Sequence, residues 1–353
     1  MSTDRWSTHP ADKAVLRLAT GLGLAVLIGY GLALTAPYAL CVMAVLVLCK
    51  PGPPIPFLKG VVMAVVVAAL AAGGVLMVPI LHHYALAGVA LTGALLYAVF
   101  RSGGGGATPM TTILAIPVTL VPVAGVAEPA LAPLIGVTLA LGIGTGVVVS
   151  NASHALFPDA PVPARSGSTA PPAPRSADAV SRIAMRATLV VMPVFVLALT
   201  NPAFYLATIM KTVALGQQAG STSTRSAGRE LVGSTLMGAW MAALAWFGLS
   251  LRPNLWMLML WMMAAALWAG VRMFGVKVTS APPSFWRNAL VTMLILLGPA
   301  IEDSASGKDV FSASAIRVGL FVGVALYAWA MVWALERWRA SRSGSDALPF
   351  KRN

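Results

Sequence analysis

A chain of 353 residues that is 58% hydrophobic and only 10% charged, with a mean hydropathy of +0.83, has too little polar surface to coat a water-soluble globule of its size. Its net charge of +13 invites a nucleic-acid reading, but nothing interleaves a basic groove with exposed aromatics. The composition predicts an all-α integral membrane protein.

Apolar runs of about 20 residues cross a bilayer. Twelve candidates occur, several of them short: 14–35, 37–50, 58–80, 84–100, 107–126, 129–150, 182–200, 202–218, 230–250, 254–271, 286–300 and 312–335. Ten to twelve transmembrane helices are therefore expected. If the N-terminus is cytoplasmic and all twelve runs cross, every Lys and Arg except Arg252, Lys308 and Arg317 falls on or near the inner side. That is the positive-inside pattern, and it predicts a multi-pass protein of the bacterial inner membrane with both termini cytoplasmic. Glu128, Glu302, Asp303 and Asp309 fall in the expected outer loops.

Residues 1–13 are a polar lead. The first run carries Arg17 one turn inside its start, is too long for a signal-peptide core and is followed by further spans, so it is expected to remain as an anchor. Pro37-Tyr38 opens a second, short run that stops at Lys50-Pro51-Gly52-Pro53-Pro54, through which no helix continues. Cys41 and Cys49, both within it, lie roughly 12 Å apart at helical rise and cannot bridge. Lys59-Gly60 opens the third run, His82 and His83 fall at an outer loop, and Pro117 and Pro122 bend the fifth.

Residues 158–178 form a Pro/Ala/Ser-rich cytoplasmic linker. It separates a first transmembrane repeat, 1–157, from a second, 179–340, which a basic tail, 341–353, follows. Arg186-Ala-Thr188 echoes Arg17-Leu-Ala-Thr20, and Pro202-x-Phe-Tyr205 echoes Pro37-Tyr38. Two repeats of six spans each enter the membrane from the same side and are therefore parallel. Lys211 of the second half has roughly Ala44 as its counterpart in the first.

Short or interrupted spans at matching places in two halves point to a transporter's binding site, and 37–50 with 202–218 fit that description. On a helix Tyr205, Thr208, Lys211, Thr212 and Gln218 fall within about 140° of one another, a polar stripe expected to face protein or water. Lys211 lies about 14 Å along the axis from Pro202, near mid-membrane, where a lysine costs about 2.5–3.5 kcal/mol. It reads either as an anion-binding or proton-accepting group or as the structural partner of Glu230, which with Arg229 opens the next helix. Arg229-x-x-x-Gly233-Ser234-x-x-x-Gly238 spaces small residues for close helix contact.

No phosphate-binding Gly-rich loop with a following Lys-Ser/Thr, no His-Glu-x-x-His zinc motif and no nucleophile with an oriented base is present. The chain is therefore expected not to be an enzyme and to need no cofactor or metal. No carboxylate lies clearly at mid-membrane, so a proton relay would have to use Lys211, Glu230 or the substrate.

Arg186-x-Thr188, then Pro202-x-Phe-Tyr205-x-x-Thr208, a polar turn, and Arg225-x-x-x-Arg229-x-x-x-Gly233-Ser234-x-x-x-Gly238 resemble the membrane core of the fusaric acid resistance and aromatic acid exporter family. The first half, with Arg17, Pro37-Tyr38 and Lys59-Gly60, resembles a weaker copy. Longer members carry sizeable cytoplasmic domains, so this chain resembles a compact branch. The resemblance implies an inner-membrane efflux component for aromatic or other weak organic acids, driven by the proton gradient and working with a periplasmic adaptor. Combined with the stripe, it assigns Lys211 to the substrate carboxylate and Tyr205 to stacking on its ring. Thr208 and Thr212 would supply hydrogen bonds, and Arg225 and Arg229 would gather anions at the inner mouth. The alternative is a non-transporting membrane scaffold that anchors an adaptor or assembly partner. Glycine-rich faces also permit a homo-oligomer.

Overall fold

The computed structural model describes residues 10–50, 52–104, 109–158, 176–221 and 224–345. Among them are twelve helices and no strand: α1 (Pro10–Gly31), α2 (Pro37–Leu48), α3 (Phe57–His83), α4 (Ala85–Ser102), α5 (Pro109–Ala127), α6 (Leu131–Leu156), α7 (Ala177–Thr200), α8 (Pro202–Ser221), α9 (Thr224–Leu251), α10 (Leu255–Met273), α11 (Pro283–Ala305) and α12 (Val310–Ser345). Each expected run is a helix. Ten are long and apolar enough to cross a membrane, as befits a multi-pass membrane protein. The two outside that set are α2, which is too short, and α8, whose apolar run is diluted by Lys211, Gln217 and Gln218.

Four helices form the centre. α2 packs on α5, α5 on α8, α8 on α11 and α11 on α2, closing a ring. All twelve residues of α2 are buried, although at 1.5 Å per residue it is only about 18 Å long, against a hydrocarbon core of about 30 Å. It tolerates this because neighbours cover every face. α6 approaches its backbone directly: a Cβ on Gly142 would stand 3.0 Å from Leu40 Cα, and one on Gly146 3.0 Å from Ala44 Cα. α5 and α11 are likewise mostly buried. The outer helices follow a regular scheme. α1 covers α2 and reaches α10, α3 packs on α5 and α6, α7 covers α8 and reaches α4, and α9 packs on α11 and α12.

Charge separates the two ends. Lys13, Arg17, Lys50, Lys59, Arg101, Arg182, Arg186, Arg229, Arg272, Arg287 and Arg337 lie at the end where α1 begins, here called the basic end. Glu128, Glu302, Asp303 and Asp309 lie at the opposite end with Arg252, Lys308 and Arg317, and Asp12, Asp178, Glu230 and Glu336 lie among the bases, so the basic end is basic by its excess of Lys and Arg. One expectation is corrected at the opposite end. Glu302 and Asp303 belong to the last turns of α11 rather than to a loop, and buried Asp303 pairs with Arg317 of α12 at 2.6 Å. Burying Leu294–Leu297 against its neighbours lets α11 continue past Pro299, and a paired carboxylate is tolerated at its end. α8 runs to Ser221 and α9 begins at Thr224, and the two touch little because α9 packs mainly on α11 and α12.

Candidate functional site

Asn201 ends α7, and Pro202 begins α8 at a position where a missing N–H costs nothing. The first turn closes through the Tyr205 N–H, which donates to the Asn201 carbonyl at 3.2 Å. The helix then places Thr208, Lys211 and Thr212 inside the protein, with Lys211 at 0% exposure. The polar stripe faces protein rather than lipid.

The ammonium of Lys211 donates to Thr292 Oγ1 at 2.5 Å and to Asn288 Oδ1 at 3.3 Å, both on α11. Thr292 passes its own hydrogen to the Asn288 carbonyl at 2.5 Å, and Asn288 Nδ2 donates to Ser234 Oγ on α9 at 2.6 Å. Ser234 in turn donates to the Leu231 carbonyl at 3.2 Å. The chain of donors runs from the lysine outward, and every acceptor next to the charge is neutral. Gly238 makes the assembly possible, since a Cβ there would stand 2.5 Å from Thr292 Cβ and 2.6 Å from the Ala289 carbonyl oxygen. The glycine spacing on α9 thus sets how closely that helix meets the lysine's partners.

Two hydrogen bonds from a charged group, each worth about 1.5–3 kcal/mol, are enough to offset an insertion cost of about 2.5–3.5 kcal/mol. No carboxylate is needed to hold the lysine in place, and among the described residues none contacts it. An ammonium has three hydrogens, and only two find acceptors here. Thr208, one turn away on the same helix face, is 1% exposed and its Oγ1 has no hydrogen-bond partner. A buried cation with a spare hydrogen and a buried hydroxyl with no partner thus share one face of α8.

The remaining expected residues are placed as follows. Thr212 donates back to the Thr208 carbonyl at 2.7 Å, which spends its hydrogen within the helix. Tyr205 is half-buried with its ring edge-on to Phe204 at 4.9 Å. Arg229 is exposed at the basic end of α9, and Glu230 beside it is half-buried. Neither touches Lys211, so the expected Lys211–Glu230 pair does not form; Asn288 and Thr292 take the ammonium because α11, not the start of α9, lies against this part of α8. The Arg225 side chain lies outside the described residues. Arg186 pairs with Glu336 of α12 at 3.3 Å, holding the first helix of the second half to the last.

Residues 14–152 match a family described as Protein of unknown function (DUF2955). The matched segment spans nearly all of α1 to α6 and stops well before Lys211. No curated protein and no solved structure matches the chain. The matched half contributes α5 to the site, whose Thr112 hydroxyl donates to Gln217 Oε1 on α8.

Asn288, Thr292 and Ser234 were not singled out from the sequence. A signal for the first two exists: Asn288 and Thr292 stand four residues apart on one face of an otherwise apolar run. Ser234 was read only as a small packing residue.

Proposed function

We propose that this chain is an inner-membrane efflux component that carries small aromatic or other weak organic acids out of the cytoplasm, as the fusaric acid resistance and aromatic acid exporter resemblance implies. The observation that carries the reading is the wholly buried Lys211, held by neutral partners alone. Neutral groups hold the lysine in place but leave its charge uncompensated. A site left one negative charge short is completed by an anionic substrate. The carboxylate would take the third ammonium hydrogen and the Thr208 hydroxyl, with Tyr205 on the ring side and Arg229, together with Arg225, drawing anions to the basic end.

The architecture we propose is two parallel six-helix repeats, α1–α6 and α7–α12. In support, the helix packing repeats six helices on. α1–α2 corresponds to α7–α8, α3–α5 to α9–α11, α2–α6 to α8–α12 and α3–α6 to α9–α12. Across the halves, α1–α10 corresponds to α7–α4 and α2–α11 to α8–α5. The pseudo-two-fold axis then runs along the membrane normal through the four-helix ring, the place where parallel-repeat transporters carry their substrate. The basic end faces the cytoplasm by the positive-inside rule, with both termini there. Proton-gradient coupling, a periplasmic adaptor and a homo-oligomer complete the reading.

The test is growth of cells lacking or overexpressing the protein across a panel of aromatic and aliphatic weak acids, with Lys211→Ala at matched membrane levels. Resistance to a subset of acids, lost in the variant, is the expected result. Indistinguishable growth of wild type and variant on every acid would favour the scaffold reading.

A further inference from the structure

A second basic site lies apart from Lys211, at the basic end of the first half. Here a cavity of about 420 Å³ opens between the start of α1, the turn after α2 and the end of α6. Arg17, Lys50 and His154 line it, with Pro53, Pro54 and Phe274 forming apolar wall. Among the described residues no carboxylate lines it. The turn that carries Lys50 is fixed by Gly52 at φ 106°, a conformation only glycine adopts without strain. Arg17 hydrogen-bonds the Phe157 carbonyl through Nε at 2.8 Å, and Lys13 reaches the Pro158 carbonyl at 2.7 Å, so the end of α6 is pinned to α1 beside the cavity.

His154 is the informative residue. Its Nδ1 meets the Ser150 carbonyl at 2.8 Å. A carbonyl only accepts, so Nδ1 carries the hydrogen and Nε2 is left as the free nitrogen. Nε2 is buried and has no partner in the protein. Lys50 stands exposed at the rim. Buried polar atoms are paired as a rule, and basic pockets between transmembrane helices on the cytoplasmic side take anionic head groups.

We infer that this cavity binds one phosphate-type anion, its charged oxygens on Lys50 and a hydroxyl of the same ligand donating to His154 Nε2: either the head group of an anionic lipid, through its glycerol hydroxyl and with its chains along the apolar wall, or a free phosphate, through its P–OH. Arg17 contributes positive charge from behind. The occupant ties together the ends of α1, α2 and α6, three helices that meet here. This site does not depend on Lys211 or on the transport reading.

The test uses the full chain in phosphatidylcholine nanodiscs with and without phosphatidylglycerol. Bound lipid is counted by native mass spectrometry and inorganic phosphate binding is followed by ³¹P NMR, for wild type, Lys50→Gln and His154→Gln. Lys50 is exposed, so its variant keeps the fold, and an unchanged melting temperature checks this. The expected result is one retained phosphatidylglycerol in wild type, held about fivefold more weakly in each variant, through the loss of about one basic contact near the bilayer surface in Lys50→Gln and of about one hydrogen bond in His154→Gln. Phosphate bound equally well without phosphatidylglycerol, and weakened in both variants, would assign the free anion as the source. Equal retention of the two lipids with no phosphate binding, or variants indistinguishable from wild type, would overturn the inference.

Discussion

α2 and α8 hold matching places in the central ring, one in each half, and carry opposite chemistry. α2 is 12 residues long and apolar throughout, with Ala44 pressed against the backbone side of Gly146. α8 is 20 residues long and brings Thr208, Lys211 and Thr212 into the interior. Both helices pack on α5 and α11, yet the polar contacts of these shared neighbours go to α8: α11 supplies Asn288 and Thr292 to the lysine, and α5 supplies Thr112 to Gln217. The central ring thus holds its lysine and that residue's polar partners on one side, against an apolar α2 on the other.

The strongest way to break this comparison is to move the lysine. Lys211→Met should abolish weak-acid resistance while changing the melting temperature little, because a buried charge replaced by an apolar side chain of similar volume is often neutral or stabilising. Adding Ala44→Lys to that variant should fail to restore resistance and should cost several kcal/mol, since α6 leaves no room beside Ala44. Recovery of resistance in the double variant would show that the halves are interchangeable.

Asn288→Asp sharpens the point about the missing counter-charge. It places a carboxylate 3.3 Å from the ammonium, so stability in a thermal melt should hold or rise while transport falls at least tenfold, about 1.4 kcal/mol or more. Full transport by this variant would mean that an uncompensated cation is not required.

Helix contact should be equally critical in both halves. Gly238→Val drives into Thr292 and Gly142→Val into Leu40. Each should lower stability by about 1–3 kcal/mol, read as comparable drops in melting temperature. A large loss at one site and none at the other would refute shared packing.

The smallest effect belongs to the tie at the basic end. Arg186 pairs with a Glu336 side chain that is 39% exposed, so Arg186→Gln should cost no more than about 1 kcal/mol. Thermal melts at low and high salt would check it, because salt screens an exposed pair and should shrink the difference between variant and wild type.

Much of the molecule was legible along the chain. Helix positions follow from runs of apolar residues broken by Pro and Gly, which is local information, and each expected run is found as a helix. The segregation of Lys and Arg to one end follows from the same runs once the connections are short. Lys211 could be recognised as unusual because a charge inside an apolar run is costly wherever its partners lie.

Its partners could not be read that way. Asn288 and Thr292 are 77 and 81 residues from Lys211 in sequence, whereas Glu230, the alternative structural partner, is much nearer along the chain. The choice depends on which helix lies against α8 at that depth. That is decided by close packing of α9 on α11 at Gly238, and by the divergence of α8 from α9. The sequence by itself determined the twelve helices, the basic end and the presence of one costly charge, because helix formation and insertion depend on contiguous residues. Only the tertiary structure decided that the charge is met by neutral groups, because hydrogen-bond partners across a bundle are chosen by packing between helices far apart in the chain.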